Sequence, residues 1–180
     1  MNSALVIIDM QQEMQARIDA GRPHVHGDAP AKVAALAAAF RAAAQSVMHV
    51  RHAAPDPAAP LHPAAPGYLP MPCAAEAEGE PVFVKHSSSA FATTDLADHL
   101  HAIGSPELYV VGAVAGFCVN STVRAAADLD FRVNVVADAV LGFDLPGYDA
   151  QTIFDVTMAL LAADFAEITD SDRVIQALQG

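Results

Sequence analysis

Positive charge is scarce in this chain. Nine Lys and Arg stand against 21 Asp and Glu, a formal net charge of −12 at pH 7. Nucleic acid and anionic membrane surfaces are therefore poor partners, because both are held by clustered cations. Cysteine is scarcer still, with only Cys73 in a proline-rich stretch and Cys118. That is no disulfide framework, and it fits a reducing cytoplasm. No apolar run is long enough to span a bilayer, and the N-terminus carries no basic, apolar signal segment. Neither G-x-G-x-x-G nor the Walker pattern occurs, so no nucleotide cofactor is expected.

What remains suits a compact protein: 180 residues, 53% hydrophobic and 17% charged, enough for one domain with a real core. Short apolar runs alternate with helical patterns. Strands are expected at Ala4–Ile8, Val47–Arg51, Pro81–Lys85, Leu108–Val111, Arg132–Ala137 and Phe165–Ile168. Helices are expected at Ala31–Gln45, Asp95–Ile103, Val119–Leu129, Tyr148–Ala163 (with Ile153, Val156, Leu160 and Leu161 inward) and Ser171–Gln179. Arg17–Gly27 reads as loop, and so does His52–Pro81, where most of the chain's twelve prolines gather and forbid regular structure. Strand and helix in alternation imply an α/β fold: a single three-layer domain with a parallel sheet covered on both faces.

The stretch Leu108–Val123 organises the rest. It begins as a buried strand, turns on small residues between Gly112 and Gly116, and enters a helix at Cys118. A thiol at a helix start has a lowered pKa and becomes a reactive thiolate; the plainer alternative is a small buried hydrophobe. Asp9 likewise stands at the carboxyl end of the first strand, as a catalytic group or as a cap. Lys85 ends the third strand, aimed either at a site or at solvent. Three such residues at equivalent strand ends are hard to dismiss together. A carboxylate can take a thiol proton, and a lysine can hold the thiolate.

These residues lie in blocks that resemble the isochorismatase-like cysteine hydrolases: Ala-Leu-Val-Ile-Ile-Asp-Met-Gln at 4–11, Val-Lys-His-Ser-Ser-Ser-Ala-Phe at 84–91, Thr-Thr-Asp-Leu at 93–96, the run 110–126 around Cys118, and Val-Val-Ala-Asp-Ala at 135–139. The resemblance implies a six-stranded parallel Rossmann-like sheet and a catalytic triad of Asp9, Lys85 and Cys118. It also implies a cis peptide joining Ala113 to Val114, and an oxyanion hole made by the N–H groups of Val114 and Cys118. The implied reaction is hydrolysis of a small amide or related C–N bond through an acyl-enzyme. Members that hydrolyse the vinyl ether of isochorismate typically lack the cysteine. Homo-oligomers, dimer or tetramer, are common in the family and expected here. The sequence departs from the family at Ala115-Gly116-Phe117, where relatives carry threonine and often polar residues, so a more apolar pocket floor is expected.

Phe91, Phe117 and Phe143 are candidate walls of a substrate pocket, with Tyr68 beside them. The eight histidines invite a metal, but the relatives' Asp-x-His motif is absent and no pair has zinc-site spacing, so none is expected. His52 and His62 remain candidates to touch substrate. The alternatives to an amidase are an isochorismatase-type ether hydrolase and a redox-sensing thiol, in which Cys73 would resolve an oxidised Cys118.

Overall fold

The computed structural model describes residues 2–179. Its centre is β1 (Ser3–Ile8), in which every residue is buried. A strand covered on both faces has no polar side to show, and its near-continuous apolar run follows from that. Alternate side chains serve two cores. Ala4, Val6 and Ile8 pack into one, while Leu5 and Ile7 pack into the other. The second core is closed by α1 (Gln12–Asp19), α2 (Ala29–Ala42) and α6 (Ser171–Gln179). The first is closed by α3 (Leu96–Ala102), α4 (Asn120–Asp128) and α5 (Ala150–Asp164). Three layers result. The helix α2 shows how: Val33, Leu36, Ala37 and Phe40 recur at helical spacing and are all fully enclosed, each large one worth roughly 1.5–3 kcal/mol against solvent exposure.

The remaining strands are β2 (His24–Val25), β3 (Ser46–His52), β4 (Val82–Lys85), β5 (Glu107–Ala113), β6 (Arg132–Phe143) and β7 (Glu167–Thr169). Six run parallel in the order β4-β3-β1-β5-β6-β7, and β2 adds a two-residue antiparallel pairing to the far end of β6. The sheet thus has seven strands where six were expected. The extra one falls in a stretch too polar and too short to announce itself. From β1 the chain moves outward through β3 to β4, then crosses back to β5 on the other side. The order reverses at β1, and such a switch point opens a crevice at the carboxyl ends of the strands.

Register aligns those ends. Ile8 faces both Val50 and Gly112, and His52 faces Lys85. Gly112 permits the close approach: its φ is +117°, and a Cβ there would sit 2.0 Å from the Ile8 carbonyl oxygen. Asp9 follows at φ +48°, a left-handed conformation that Asp tolerates better than most residues.

Three segments differ from the sequence expectation. Residues 12–19 are helical, so Arg17 belongs to α1 and not to a loop. The strand β6 continues to Phe143 past a register shift opposite β5, where Asp138 turns aside to accept from Ser171 N at 2.8 Å and Ser171 Oγ at 2.6 Å. The helix α5 is apolar nearly all round, and its inward stripe is Ala150, Phe154, Thr157, Met158 and Leu161. Val156 and Leu160 face outward, each more than half exposed. Residues 53–81 are the ordered loop that was expected, with short 3₁₀ turns at Pro66–Tyr68 and Pro72–Ala74. The buried Gln11 side chain pins it, donating to the carbonyls of His52 (3.1 Å) and Tyr68 (2.9 Å) and accepting from His52 N–H (2.9 Å).

Candidate active site

At the crevice, β1 delivers Asp9, β4 delivers Lys85, and the turn after β5 delivers Cys118. Lys85 is fully enclosed and Asp9 is 3% exposed. The Lys85 ammonium donates to Asp9 Oδ2 at 2.7 Å, the Ser87 carbonyl at 3.1 Å and Cys118 Sγ at 3.2 Å, and His52 Nδ1 lies 3.3 Å from it. Lysine in the middle therefore ties carboxylate, thiol and imidazole into one cluster.

The turn carrying Cys118 is built for that placement. The Ala113–Val114 peptide is cis. Residues Ala115–Val119 then form one π-helical turn leading into α4, with Phe117 N–H and Val119 N–H donating to the Val114 carbonyl. Turns of this type within helices recur at functional sites. Nearby, Thr122 Oγ1 accepts from Ala90 N–H and Thr94 Oγ1 donates to the Ala90 carbonyl, which fixes the serine-rich segment after β4.

The electrostatics correct one expectation. The Cys118 thiol is not acidified; burial and then the adjacent Asp9 charge push its pKa up to about 11, against the opposing pull of Lys85. Asp9 is itself raised above the ordinary carboxylate range, by burial first, with Lys85 drawing it back. The Cys118 thiol also hydrogen-bonds to the carboxylate and draws it down; among the described residues no other group bonds Oδ1. Burial and then the Lys85 charge push His52 down, toward the neutral form. The resting site thus holds a proton on sulfur, hydrogen-bonded to a carboxylate with a raised affinity for protons. Such a pair can pass the proton when a substrate arrives.

These groups open onto a cavity of about 410 Å³, lined by Asp9, Met14, Arg17, His52, Leu61, His86, Ser87, Ser88, Ala113, Val114, Phe117 and Cys118. Of the aromatic wall candidates, Phe117 lines it. Phe91 does not: it stacks on Phe131 with centroids 5.8 Å apart, beside the core under α3 and α4. Phe143 is buried behind the cavity, under the Arg17 and Arg22 guanidinium groups, and Tyr68 contributes its carbonyl to Gln11. The apolar floor was expected from residues 115–117, but Ala115 points into the core and Gly116 lies against Ile153. The apolar surface comes from Met14, Leu61, Ala113, Val114 and Phe117 instead. Met14 and Arg17 were missed because α1 was not recognised; their three-residue spacing on a helix is the signal that could have found them.

His52 reaches the cavity, while His62 Nδ1 accepts from Ala64 N–H within the loop. Among the described residues no group of three or more His, Cys, Asp or Glu side chains is arranged to hold a metal. Cys73 lies against the α2 core and Cys118 against the opposite one. With the sheet between them, Cys73 is no resolving partner for Cys118. No helix among the described residues is long and apolar enough to cross a membrane.

Comparison with known proteins agrees with this architecture. A putative hydrolase of the isochorismatase family from Chromobacterium violaceum superposes with a TM-score of 0.92 at 31% identity, over 99% of this chain and 94% of that one. The secreted isochorismatase effector Isc1 of Verticillium dahliae is 33% identical over 96% of this chain and 90% of its own. An N-carbamoylsarcosine amidase from Arthrobacter sp. is 32% identical over 58% of this chain and 37% of its own. The sequence model of the isochorismatase domain matches residues 3–172; this chain belongs to the isochorismatase family of hydrolases.

Proposed function

We propose that the chain is a cysteine-dependent hydrolase of a small amide or related C–N bond, with Asp9, Lys85 and Cys118 as its catalytic residues. The observation that carries this reading is the enclosed Lys85 ammonium, 2.7 Å from the Asp9 carboxylate and 3.2 Å from Cys118 Sγ at the wall of a cavity. An N-carbamoylsarcosine amidase among its relatives supports the choice of bond.

In this mechanism Asp9 takes the Sγ proton as sulfur attacks the carbonyl carbon, and the carbonyl π pair moves onto oxygen. The N–H groups of Val114 and Cys118 receive that oxyanion, with the Lys85 charge beside them. Its collapse breaks the C–N bond, and Asp9 returns the proton to the departing nitrogen, leaving a thioester on Cys118. Water then gives a proton to Asp9 and attacks the thioester. The C–S bond breaks, sulfur recovers the proton, and a carboxylic or carbamic acid leaves. The raised proton affinity of Asp9 suits both transfers. Lys85 keeps the carboxylate charged in its enclosure and holds sulfur in line.

Intact-protein mass spectrometry after incubation with a mixed set of small amides and carbamoyl compounds tests this. The expected result is an adduct on Cys118 whose mass identifies the acyl group. Cys118→Ala should lose adduct and turnover, by at least about 10⁴-fold in rate, while melting like the parent. Turnover surviving in Cys118→Ala would remove the nucleophile from this account.

A further inference from the structure

Within that reading, which this inference deepens, the cavity carries a second fixed cation that the chemistry does not use. Arg17 on α1 lines the same cavity as Cys118. Its Nε donates to Glu13 Oε1 at 2.8 Å, one helical turn back. Its guanidinium lies 5.8 Å from the centre of the Phe143 ring. Gly67 of the proline-rich wall comes close to Glu13, since a Cβ added there would lie 3.1 Å from Glu13 Cβ. The guanidinium is therefore braced along its Nε edge and against an aromatic ring. The two Nη groups, the edge that binds carboxylates bidentately, have no partner among the described residues.

An exposed Glu–Arg pair at this spacing is ordinarily a minor helix ornament. Two observations set this one apart: its arginine is 29% exposed, and it lines the reactive cavity. Lys85 is matched by Asp9, and His52 is held toward its uncharged form. An anionic group entering would meet the two open Nη groups of Arg17, whose Nε edge is already paired with Glu13, and the apolar surface of Met14, Leu61 and Phe117 would make its binding poorly screened.

We propose that Arg17 is a specificity-determining residue that holds a carboxylate of the substrate, so that the substrate is a small acid whose amide or ureido carbonyl lies at Cys118. The direct probe is alkylation of Cys118 by iodoacetate against iodoacetamide, two reagents of near-equal size that differ by one carboxylate. Peptide mass spectrometry reads each site, and Cys73, on the far face of the sheet, is the reference within the same molecule. The iodoacetate-to-iodoacetamide rate ratio at Cys118 should fall about tenfold in Arg17→Gln, the factor carried by one charge-assisted hydrogen bond. It should fall less in Arg17→Lys and stay constant at Cys73. The iodoacetamide rate in Arg17→Gln shows whether the site is still formed.

A ratio at Cys118 that is the same in parent and Arg17→Gln overturns the proposal, and so does labelling of Cys118 by neither reagent. The amidase reading fails separately. A preserved ratio effect with no turnover of any acid amide would leave an anion site beside a thiol that is not a hydrolase.

Discussion

Asp9 and Glu80 are both carboxylates withdrawn from water beside a cation and a histidine, yet they titrate in opposite directions. Glu80 closes the proline-rich wall. It accepts from Arg41 Nε (2.7 Å) and Nη2 (2.8 Å), from His49 Nε2 (2.8 Å) and from Ala77 N–H (2.8 Å). Those donors, Arg41 foremost, hold its pKa down to about 2. Asp9 has the Lys85 ammonium and the Cys118 thiol and no further donor among the described residues, and burial holds it up. What separates the two is burial first, far deeper at Asp9, and then the number of donors, not the presence of a counter-charge. A saturated carboxylate is a structural clasp. One left a bond short, in a cavity, is available for proton transfer.

The contrast breaks most violently at Lys85. Lys85→Met leaves Asp9 enclosed without its cation, and removing one partner of a buried pair costs about 3–5 kcal/mol. The sign of its pH dependence follows from the raised Asp9 pKa. A folded-state pKa above the unfolded one favours folding at low pH and loses that contribution as pH rises through it. The variant should therefore melt furthest below the parent near pH 8 and recover toward acid pH, where Asp9 is neutral. Thermal melts across that range check this; a pH-independent deficit would mean that Asp9 escapes its enclosure. Turnover, where a substrate is in hand, should be lost.

Glu80→Gln is the milder counterpart. It weakens the clasp between Arg41 on α2, His49 on β3 and the loop backbone, a loss of about 2 kcal/mol for charge-assisted bonds. Here the pH sign reverses. A folded pKa of about 2 lies below the unfolded value of 4.5, so the contribution is present above about 4.5 and lost as pH falls toward about 2. Parent and variant should converge in acid. Alkylation of Cys118 at neutral pH should be unchanged, since the clasp lies away from the cavity; a large change there would show that the wall positions the site through Glu80.

Much of this was legible before any coordinates. The six parallel strands follow from apolar runs at regular intervals, and Asp9, Lys85 and Cys118 share the strand-end address that the topology makes a crevice. The parts that were not legible have physical reasons. The helix α1 is short and polar, with Met14 its single buried residue, so its periodicity is faint, and with it went Met14 and Arg17 of the cavity. The phase of α5 could not be chosen because apolar residues occupy nearly every side. Phe91 and Phe143 were nominated for being aromatic near the motifs, and aromatic rings more often fill cores. The direction of the Cys118 shift was misread because a helix start was weighed without the Asp9 charge and the burial that oppose it.

That last misreading supplies the finest test of the contrast. If Asp9 is an under-satisfied charge next to sulfur, removing the charge while keeping the shape should ease thiol ionisation. In Asp9→Asn the pH midpoint for Cys118 alkylation by iodoacetamide should fall from about 11, because the second-ranking cause of its elevation is gone while Lys85 remains. Burial, the leading cause, still holds it above an exposed thiol. Lys85→Met should move the midpoint the other way, and Cys73, also held up to about 11 but by burial alone, should not move in either variant. The Asp9→Asn protein would then present a more readily ionised nucleophile and yet turn over no substrate, because nothing remains to carry the proton to the departing nitrogen. A midpoint unchanged in Asp9→Asn would mean that the carboxylate and the thiol do not sense one another, and the proton transfer assigned to them would have no basis.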